Sequence, residues 1–243
     1  MLVHSGITDS RSWEPQLPAF TKQYRVLRYD MRGFGQSDIA HGAYSNVDDL
    51  AGLMSAVGIG PAALLGVSMA GTMVLDAALQ HPELVNALIL VGSGISGREH
   101  SAEYHQMMDE MDELLAQKGL DATIDREMEV WLYGRGRTAA DVDPQLREAV
   151  REMDFYNSER YPPDAEPERI QPPAIGRLDE IQVPTLVIVG ELDVDDVRQA
   201  ADELGRGIRG ARLVVVPGVA HVPNMERPEE FNRLVLDFLK SAI

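Results

Sequence analysis

The 243-residue sequence contains no cysteine, no run of 18 apolar residues and comparatively few cationic residues. Without cysteine, disulfides, thiolate metal sites and a cysteine nucleophile are all excluded. The first residues lack a basic segment followed by an apolar one, so neither a secretory signal nor a membrane span is predicted, and we expect a soluble, cytoplasmic protein. The 22 basic residues against 39 acidic ones give a net charge of −17, which argues against nucleic-acid and membrane partners.

Apolar runs of strand length alternate with segments whose apolar residues recur at helical spacing. This alternation predicts an α/β fold, with a mostly parallel sheet and helices on both faces. The predicted strands are the segment ending at His4, Tyr24–Tyr29, the run after Pro61, Val85–Val91, Thr185–Val189 and Leu213–Val216. The predicted helices of this core are Ser12–Lys22, Ser45–Val57, the segment from Ser68 to His81, Asp195–Leu204 and Pro228–Leu239.

Residues 97–180 differ from the rest of the chain, because they contain 21 acidic and 10 basic residues and therefore hold −11 of the total charge. Their helix formers and methionines predict a helical insertion that acts as a lid. The domain prediction is a core in two parts, residues 1–96 and 181–243, with the lid at residues 97–180. Its predicted segments are the helices Ala102–Lys118, Ile124–Tyr133 and Pro144–Tyr156, and a proline-rich return over Tyr161–Pro173.

The periodicity of the chain changes at Ser68. Apolar residues run up to Gly66, and after Ser68 they recur at helical spacing, which places the serine in a turn between strand and helix. The segment Gly66–Ala70 fits the small-x-Ser-x-small pattern of a nucleophile elbow, where bulky neighbours would block the turn. At the start of a helix the serine also lies near free backbone N–H groups that can stabilise an oxyanion. We therefore predict that Ser68 is a nucleophile.

A serine nucleophile needs a base, and the base needs an acid that orients it. In parallel sheets such groups collect in the loops after the strands, where Asp193 and His221 lie. Acids in the loop of Asp193 could instead begin the next helix, and Asp195 is the reserve candidate. The order Ser68, Asp193, His221 is the chain order of an alpha/beta-hydrolase triad.

Further motifs accompany the three candidates along nearly the whole chain. They are His4–Gly6 with Trp13, Tyr29–Ser37, Gly66–Gly71, Val189–Asp193, Ala220–His221 and Glu226–Glu229. Jointly these segments resemble the alpha/beta-hydrolase superfamily, and within it the small bacterial carboxylesterases and 3-oxoadipate enol-lactonases. The resemblance implies an alpha/beta-hydrolase fold with a helical lid, here without the first two strands. It also implies a cofactor-free serine hydrolase that cleaves a small carboxylic ester or lactone.

The resemblance assigns a role to each candidate. Ser68 would attack the carbonyl carbon, His221 would take and return its proton, and Asp193 would orient the imidazole. The backbone N–H groups of Met69 and Gly6 would hold the oxyanion. The family generally has His-Gly in the loop before Gly6, whereas this chain has His4-Ser5, so its second N–H is less securely placed than that of Met69.

Four residues are predicted to line the substrate pocket, and core packing is the competing interpretation for the methionines at helical spacing. They are Ile7, Trp131, Met107 and Met111. His4 is expected to be a structural residue of its loop, and Asp30 and Arg32 to brace the loop that contains them. The histidines and acids show no zinc-site spacing, so we predict neither a metal nor a cofactor.

Three classes of function stay open. The favoured class is an ester or lactone hydrolase, preferring neutral or cationic substrates because the lid is acidic. The second is a perhydrolase or haloperoxidase-like enzyme that uses the same triad with peroxide as acceptor. The third is a ligand-binding receptor on the same fold. A serine at position 68 argues against epoxide hydrolases and haloalkane dehalogenases, whose nucleophile is an aspartate.

The strand Tyr24–Tyr29 is predicted to lie at an edge of the sheet. Relatives usually place two more strands before the oxyanion loop, and here only Met1–Val3 precede His4. An edge strand exposes unpaired N–H and C=O groups. We therefore expect either that the chain is shorter than the natural product or that it forms a homodimer through this edge.

Overall fold

The computed structural model of the protein describes residues 1–39, 41–160, 162 and 164–242. The strands are β1 (Leu2–Val3), β2 (Arg28–Tyr29), β3 (Gly42–Tyr44), β4 (Ala62–Val67), β5 (Val85–Val91), β6 (Ala165–Pro167), β7 (Thr185–Gly190) and β8 (Arg212–Val216). The α-helices are α1 (Leu17–Phe20), α2 (Asn46–Ala56), α3 (Met69–Gln80), α4 (Ala102–Lys118), α5 (Leu120–Glu127), α6 (Pro144–Arg160), α7 (Asp195–Gly207), α8 (Pro223–Glu226) and α9 (Pro228–Ala242).

Among these residues, six strands form the main sheet in the spatial order β2-β1-β4-β5-β7-β8, and neighbouring strands are parallel. Successive side chains of a strand point to opposite faces. Leu64 and Leu88 accordingly pack with α2, α3 and α7, whereas Leu65 and Ile89 pack with α9 and Trp13. Because helices cover both faces, the central strands are apolar along most of their length, with Asn86 in β5 and Thr185 in β7 as polar exceptions.

The segment predicted as one helix over Ser12–Lys22 is divided. Residues Ser10–Trp13 form a 3₁₀ turn capped by Asp9, and α1 is a separate single turn. Pro18 explains the break, because a proline inside a continuous helix would remove a hydrogen bond and clash with the preceding turn. In α1 it occupies the first turn, where no hydrogen bond is lost.

The predicted strand Tyr24–Tyr29 is paired only over β2, which lies at the edge of the sheet in the described part of the chain. Its partner β1 has two residues, and their register joins Leu2 to Arg28 and Val3 to Tyr29. A strand can pair only along the length of its partner, so the residues before Arg28 continue as irregular chain.

The insertion contains the three helices that the sequence predicted, with different boundaries for the second and third. Helix α4 matches its prediction, with Ser101 as the N-cap and Gly119, at φ 82°, as its end. Helix α5 begins four residues early and continues into a π-helix over Met128–Tyr133. Within the proline-rich return, of which Tyr161 and Pro163 lie outside the described residues, β6 pairs with β3 in a separate small sheet. That pairing was not predicted.

The parallel direction of the strands brings their carboxyl ends to one edge of the sheet. Ser68 follows β4, Gly92 follows β5, Asp193 lies three residues after β7, and His221 lies five residues after β8. The insertion begins after β5 and packs over this edge, where its apolar cluster meets Ile7. In the described part of the chain, no helix is long and apolar enough to cross a membrane.

Candidate active site

Ser68 occupies the turn between β4 and α3 with φ 59° and ψ −121°. It is the one non-glycine residue with positive φ among the residues that the structure describes. Such a conformation costs of order 1–3 kcal/mol and persists only where the surrounding structure enforces it. The strain is the property expected of a nucleophile elbow, which holds the serine hydroxyl clear of the backbone.

Small residues beside Ser68 allow this turn. A Cβ atom on Gly66 would lie 2.3 Å from the carbonyl oxygen of Ala70, and one on Gly71 would lie 2.6 Å from Cβ of Ser93. Both distances are shorter than real carbon contacts. The steric requirement inferred from the sequence therefore holds for Gly66, and it extends to Gly71, where α3 passes close to the strand-end loop.

His221 and Asp193 are in direct contact. His221 Nδ1 lies 2.8 Å from Asp193 Oδ2, and the two side chains are 3% and 0% exposed. A carboxylate only accepts hydrogen bonds, so Nδ1 carries the proton and Nε2 is left to accept one. The other carboxylate oxygen accepts the backbone N–H of Val194 at 2.8 Å. Both oxygens of this buried acid are therefore satisfied.

The end of β5 joins Ser68 to this pair. The backbone N–H of Ser68 donates to Val91 O at 2.7 Å, while a Cβ atom on Gly92 would lie 3.1 Å from His221 Nδ1 and 3.4 Å from Asp193 Oδ2. Ser68 and His221 thus lie against two successive residues at the end of β5: Ser68 against Val91, and His221 against Gly92. Within the described residues the Ser68 hydroxyl forms no hydrogen bond, with His221 or any other group. Such catalytic hydrogen bonds are often long before substrate binds.

The predicted oxyanion donors lie at the start of α3 and in the loop after β1, both at the carboxyl ends of the strands. Met69 is the first residue of α3, where backbone N–H groups lack helical partners and the helix dipole is positive. Gly6 lies in a turn closed by the hydrogen bond from Thr8 N–H to Ser5 O at 3.3 Å. A Cβ atom at Gly6 would meet nothing within 4 Å, so the space in front of this turn is open.

His4 fixes the turn that contains Gly6. Its Nε2 lies 3.0 Å from the backbone N of Met31, and its Nδ1 lies 2.9 Å from Ser5 O. An N–H must donate and a carbonyl must accept, so the ring is neutral with its proton on Nδ1. Burial lowers the pKa of His4, which favours the neutral form. These contacts match the structural role expected for His4, and the hydroxyl of Thr8 adds a 2.8 Å contact with Ser5 Oγ.

The loop of His221 is held by an ion pair that sequence reasoning did not identify. Arg137, from the insertion, donates to Glu226 Oε2 at 2.7 Å and to Gly218 O at 3.1 Å. Glu226 Oε1 accepts the backbone N–H of Ala220 at 2.7 Å. Burial raises the pKa of Glu226, and Arg137 opposes this effect. The sequence indicated this ion pair only weakly. Glu226 belonged to a family motif, and Arg137 was one of several arginines in an acidic segment.

The four predicted pocket residues lie in different environments. Trp131 is half-buried, its ring centroid is 4.7 Å from that of His221, and its carbonyl accepts the His221 N–H at 3.1 Å. Ile7 is buried in the apolar cluster where the turn from Ser5 to Thr8 meets the insertion. Met111 is also buried, at 3% exposure. Trp131 is therefore placed directly beside the predicted base, His221.

Met107 lines a cavity of about 360 Å³ between α4 and α7, together with Tyr104 and Val194. Tyr104 contacts Trp131 at a centroid distance of 6.5 Å, so the tryptophan stands between this cavity and His221. A second cavity, of about 300 Å³ and mainly apolar, lies at the amino ends of the strands. It is on the opposite edge of the sheet from Ser68.

The acids that follow Asp193 have other partners. The Asp195 side chain is 63% exposed and pairs with Arg135 at 2.6 Å. Asp196 is buried, and it accepts hydrogen bonds from the backbone and hydroxyl of Ser101 at 2.9 and 2.5 Å. Asp196 thereby attaches the first turn of α4 to the loop of Asp193. The reserve candidate Asp195 makes no contact with His221 among the described residues.

Comparisons with known proteins identify the family and the fold of this chain. The family profile described as alpha/beta hydrolase fold matches residues 1–228. A 2-hydroxy-6-oxononadienedioate/2-hydroxy-6-oxononatrienedioate hydrolase of Burkholderia vietnamiensis is 30% identical over 253 residues, covering 99% of this chain and 86% of the relative. The enol-lactonase of Burkholderia xenovorans is 29% identical with a TM-score of 0.77, covering 98% and 90%. A thermophilic esterase of Thermogutta terrifontis is 25% identical with a TM-score of 0.78, covering 99% and 89%.

Proposed function

The chain belongs to the alpha/beta-hydrolase family and is a hydrolase, and on that premise we propose that it cleaves a small carboxylic ester or lactone through an acyl-enzyme on Ser68. The observation that carries the proposal is the buried 2.8 Å contact between His221 and Asp193 at the strand end that also holds Ser68. A base oriented by a buried acid beside a strained serine is the arrangement that acyl transfer requires.

In the first half of the reaction, His221 Nε2 takes the proton of Ser68 as Oγ attacks the carbonyl carbon. The imidazolium then gives that proton to the leaving alkoxide, so the ester bond breaks and an acyl-serine forms. Asp193 stabilises the imidazolium and keeps the proton of the neutral ring on Nδ1. In the second half, water attacks the acyl-serine while His221 takes its proton. The imidazolium returns that proton to Ser68 Oγ as the bond between Oγ and the acyl carbon breaks, and the carboxylic acid leaves.

Each attack places negative charge on the former carbonyl oxygen. In this proposal, that charge is held by the backbone N–H groups of Met69 and Gly6, and such donors each contribute about 10²–10³-fold to the rate. Met69 N–H is fixed by the start of α3. Gly6 N–H depends on the turn closed by Ser5 and Thr8, which His4 supports from the other side.

For the substrate, we propose a neutral or cationic ester or lactone. The insertion holds 21 acidic and 10 basic residues, and the arginines that could reverse its charge near the site are paired with carboxylates. They are Arg98 with Asp196 and Glu203, Arg135 with Asp195, and Arg137 with Glu226. The Burkholderia vietnamiensis relative is named for dianionic substrates, so a dienedioate belongs in the assay panel as the opposing candidate.

The decisive experiment is rapid-mix kinetics with a chromogenic short-chain ester, followed by intact-mass analysis of the quenched enzyme. We expect a burst of alcohol release and an acyl adduct on the peptide that contains Ser68. Adding hydrogen peroxide as a competing acceptor tests the perhydrolase alternative, because peracid would then form in place of carboxylic acid. No burst and no adduct with any ester, lactone or dienedioate in the panel would contradict the proposal.

A further inference from the structure

Asn157 connects the insertion to two loops of the core, those that contain Thr8 and Gly35. It lies on α6, is 2% exposed, and uses both atoms of its amide. Its Nδ2 donates to the backbone carbonyl of Thr8 at 3.1 Å, and its Oδ1 accepts the backbone N–H of Gly35 at 2.9 Å. Since the N–H of Gly35 can only donate, the orientation of the amide is fixed, and its NH₂ must face Thr8.

Thr8 is the last residue of the turn that presents Gly6. The first residue, Ser5, is held through its carbonyl by His4 and through its hydroxyl by Thr8. The carbonyl of Thr8 accepts a hydrogen bond from Asn157 Nδ2. The turn is therefore anchored by the core at one end and by the insertion at the other, with Gly6 between the two anchors.

A second side chain of α6 reaches the same region without contacting this turn. Arg160 Nη1 donates to the carbonyl of Gly35, and its Nη2 lies 3.4 Å from Ser37 O. Arg160 thus holds α6 to the Gly35 loop, as Asn157 does, but has no bond to Thr8. Comparing variants of Asn157 and Arg160 therefore distinguishes two roles of α6: its attachment to the Gly35 loop, which both residues share, and its support of the turn from Ser5 to Thr8, which Asn157 provides.

We propose that Asn157 is a positioning residue for catalysis, which sets the direction of the Gly6 N–H by holding the Thr8 carbonyl. The kinetic part of this inference rests on the proposed function. A donor displaced by a fraction of an ångström loses most of its effect on the transition state, where the oxyanion forms, and little of its effect on ground-state binding. Loss of the Asn157 amide should therefore lower kcat and leave KM nearly unchanged.

The test compares Asn157→Asp and Asn157→Ala with Arg160→Met as the matched control. Asn157→Asp keeps an acceptor for Gly35 N–H and removes the donor to Thr8, and Asn157→Ala removes both without adding a buried charge. We expect kcat to fall about 10–100-fold in both variants, with KM within about 3-fold. The inhibition constant of a trifluoromethyl ketone, whose adduct with serine is an oxyanion, should rise by the same factor. Arg160→Met should change these constants less than about 3-fold.

A second readout does not depend on turnover. In protein labelled with ¹⁵N-glycine, the amide resonance of Gly6, assigned from its loss in Gly6→Ala, should shift in the Asn157 variants and stay in place in Arg160→Met. Wild-type protein that hydrolyses no ester would remove the proposed function and leave this measurement to decide the structural part. A lower melting temperature of the Asn157 variants with unchanged kcat, ketone affinity and Gly6 resonance would overturn the proposal. Equal kinetic losses in Arg160→Met would overturn it as well.

Discussion

The sheet and the insertion place their polar residues in different ways. Strands β4, β5 and β7 are mostly apolar and mostly buried, and the proposed catalytic side chains follow the ends of β4, β7 and β8. The insertion is mainly helical and has a net charge of −11. Its helices carry polar side chains that are buried, including Asp154 and Asn157.

This difference follows from the backbone. A central strand satisfies its N–H and C=O groups by pairing, so it offers no polar group until it ends. The loops at the strand ends have unpaired backbone groups, and side chains of the insertion bond to several of them: Asn157 to Thr8 and Gly35, and Arg137 to Gly218. The ends of the strands therefore hold the proposed reacting groups, and side chains of the insertion support the loops around them.

The largest effect on activity is expected from Ser68→Ala, which changes a proposed reacting group at the end of a strand and leaves the insertion intact. Removing the proposed nucleophile should lower ester turnover about 10⁵–10⁶-fold, with little loss of stability because the serine hydroxyl forms no hydrogen bond with the residues that the structure describes. Turnover and thermal unfolding of the same preparation measure both effects. If the variant retains a few per cent of activity, or if a fluorophosphonate labels another residue, Ser68 is not the nucleophile.

Asp193→Asn should have the next largest effect, lowering kcat about 10³–10⁴-fold. An amide at position 193 can donate to Nδ1, which would hold His221 in the tautomer that cannot accept the serine proton. Asp195→Asn is the matched control two residues away, and we expect less than about a 3-fold change because its side chain is exposed and paired with Arg135. Similar losses in the two variants would remove the assignment of Asp193.

Asp154→Asn tests a buried carboxyl of the insertion. Burial, followed by the neighbouring Glu127, raises the pKa of Asp154 to about 9, so the folded protein keeps this proton where the unfolded chain releases it. Unfolding between about pH 4 and pH 9 then releases a proton, and stability falls as pH rises through that range. The variant has no such proton, so its stability relative to wild type should increase with pH.

Chemical denaturation at pH 5 and pH 8 measures this change. The relative gain of Asp154→Asn between the two values should be about 1–3 kcal/mol, whereas Asp112→Asn, on the exposed face of α4, should show almost none. Parallel pH profiles for wild type and Asp154→Asn would mean that the carboxyl is ionised in the folded protein.

The smallest effect concerns substrate charge. A neutral lactone should have a kcat/KM about 3–10-fold above that of a dicarboxylate of similar size, and added salt should narrow the gap. Glu103 lies in the cavity that Met107 lines, and Glu103→Gln should slightly reduce the difference in kcat/KM between the two substrates. Glu83 lies outside the insertion, and Glu83→Gln should leave that difference unchanged. A dicarboxylate hydrolysed faster than the neutral lactone would show that the charge of the insertion does not govern access.

The fold and the elbow were predictable because local patterns encode them. Continuous apolar runs, helical spacing and the small residues around Ser68 each span only a few positions, and the predicted alpha/beta-hydrolase fold is confirmed. Helix α4 has the predicted bounds, and in the structure Ser101 caps its start and Gly119 follows its end. The catalytic roles of Ser68, Asp193 and His221 stay predictions, and the structure adds the contact between the last two.

Other features depended on contacts between distant parts of the chain. The sequence favoured Asp193 and kept Asp195 in reserve, and it is the burial of Asp193 and its contact with His221 that separate the two. Asn157 and Thr8 are 149 positions apart, and no periodicity reports that an amide on a charged helix will meet a carbonyl on the first loop. Local backbone preferences act over one or two turns of chain, so they determine which elements form. Which side chain supports which loop is decided when those elements pack, because a hydrogen bond requires its two atoms to lie about 3 Å apart in space, whatever their separation in sequence.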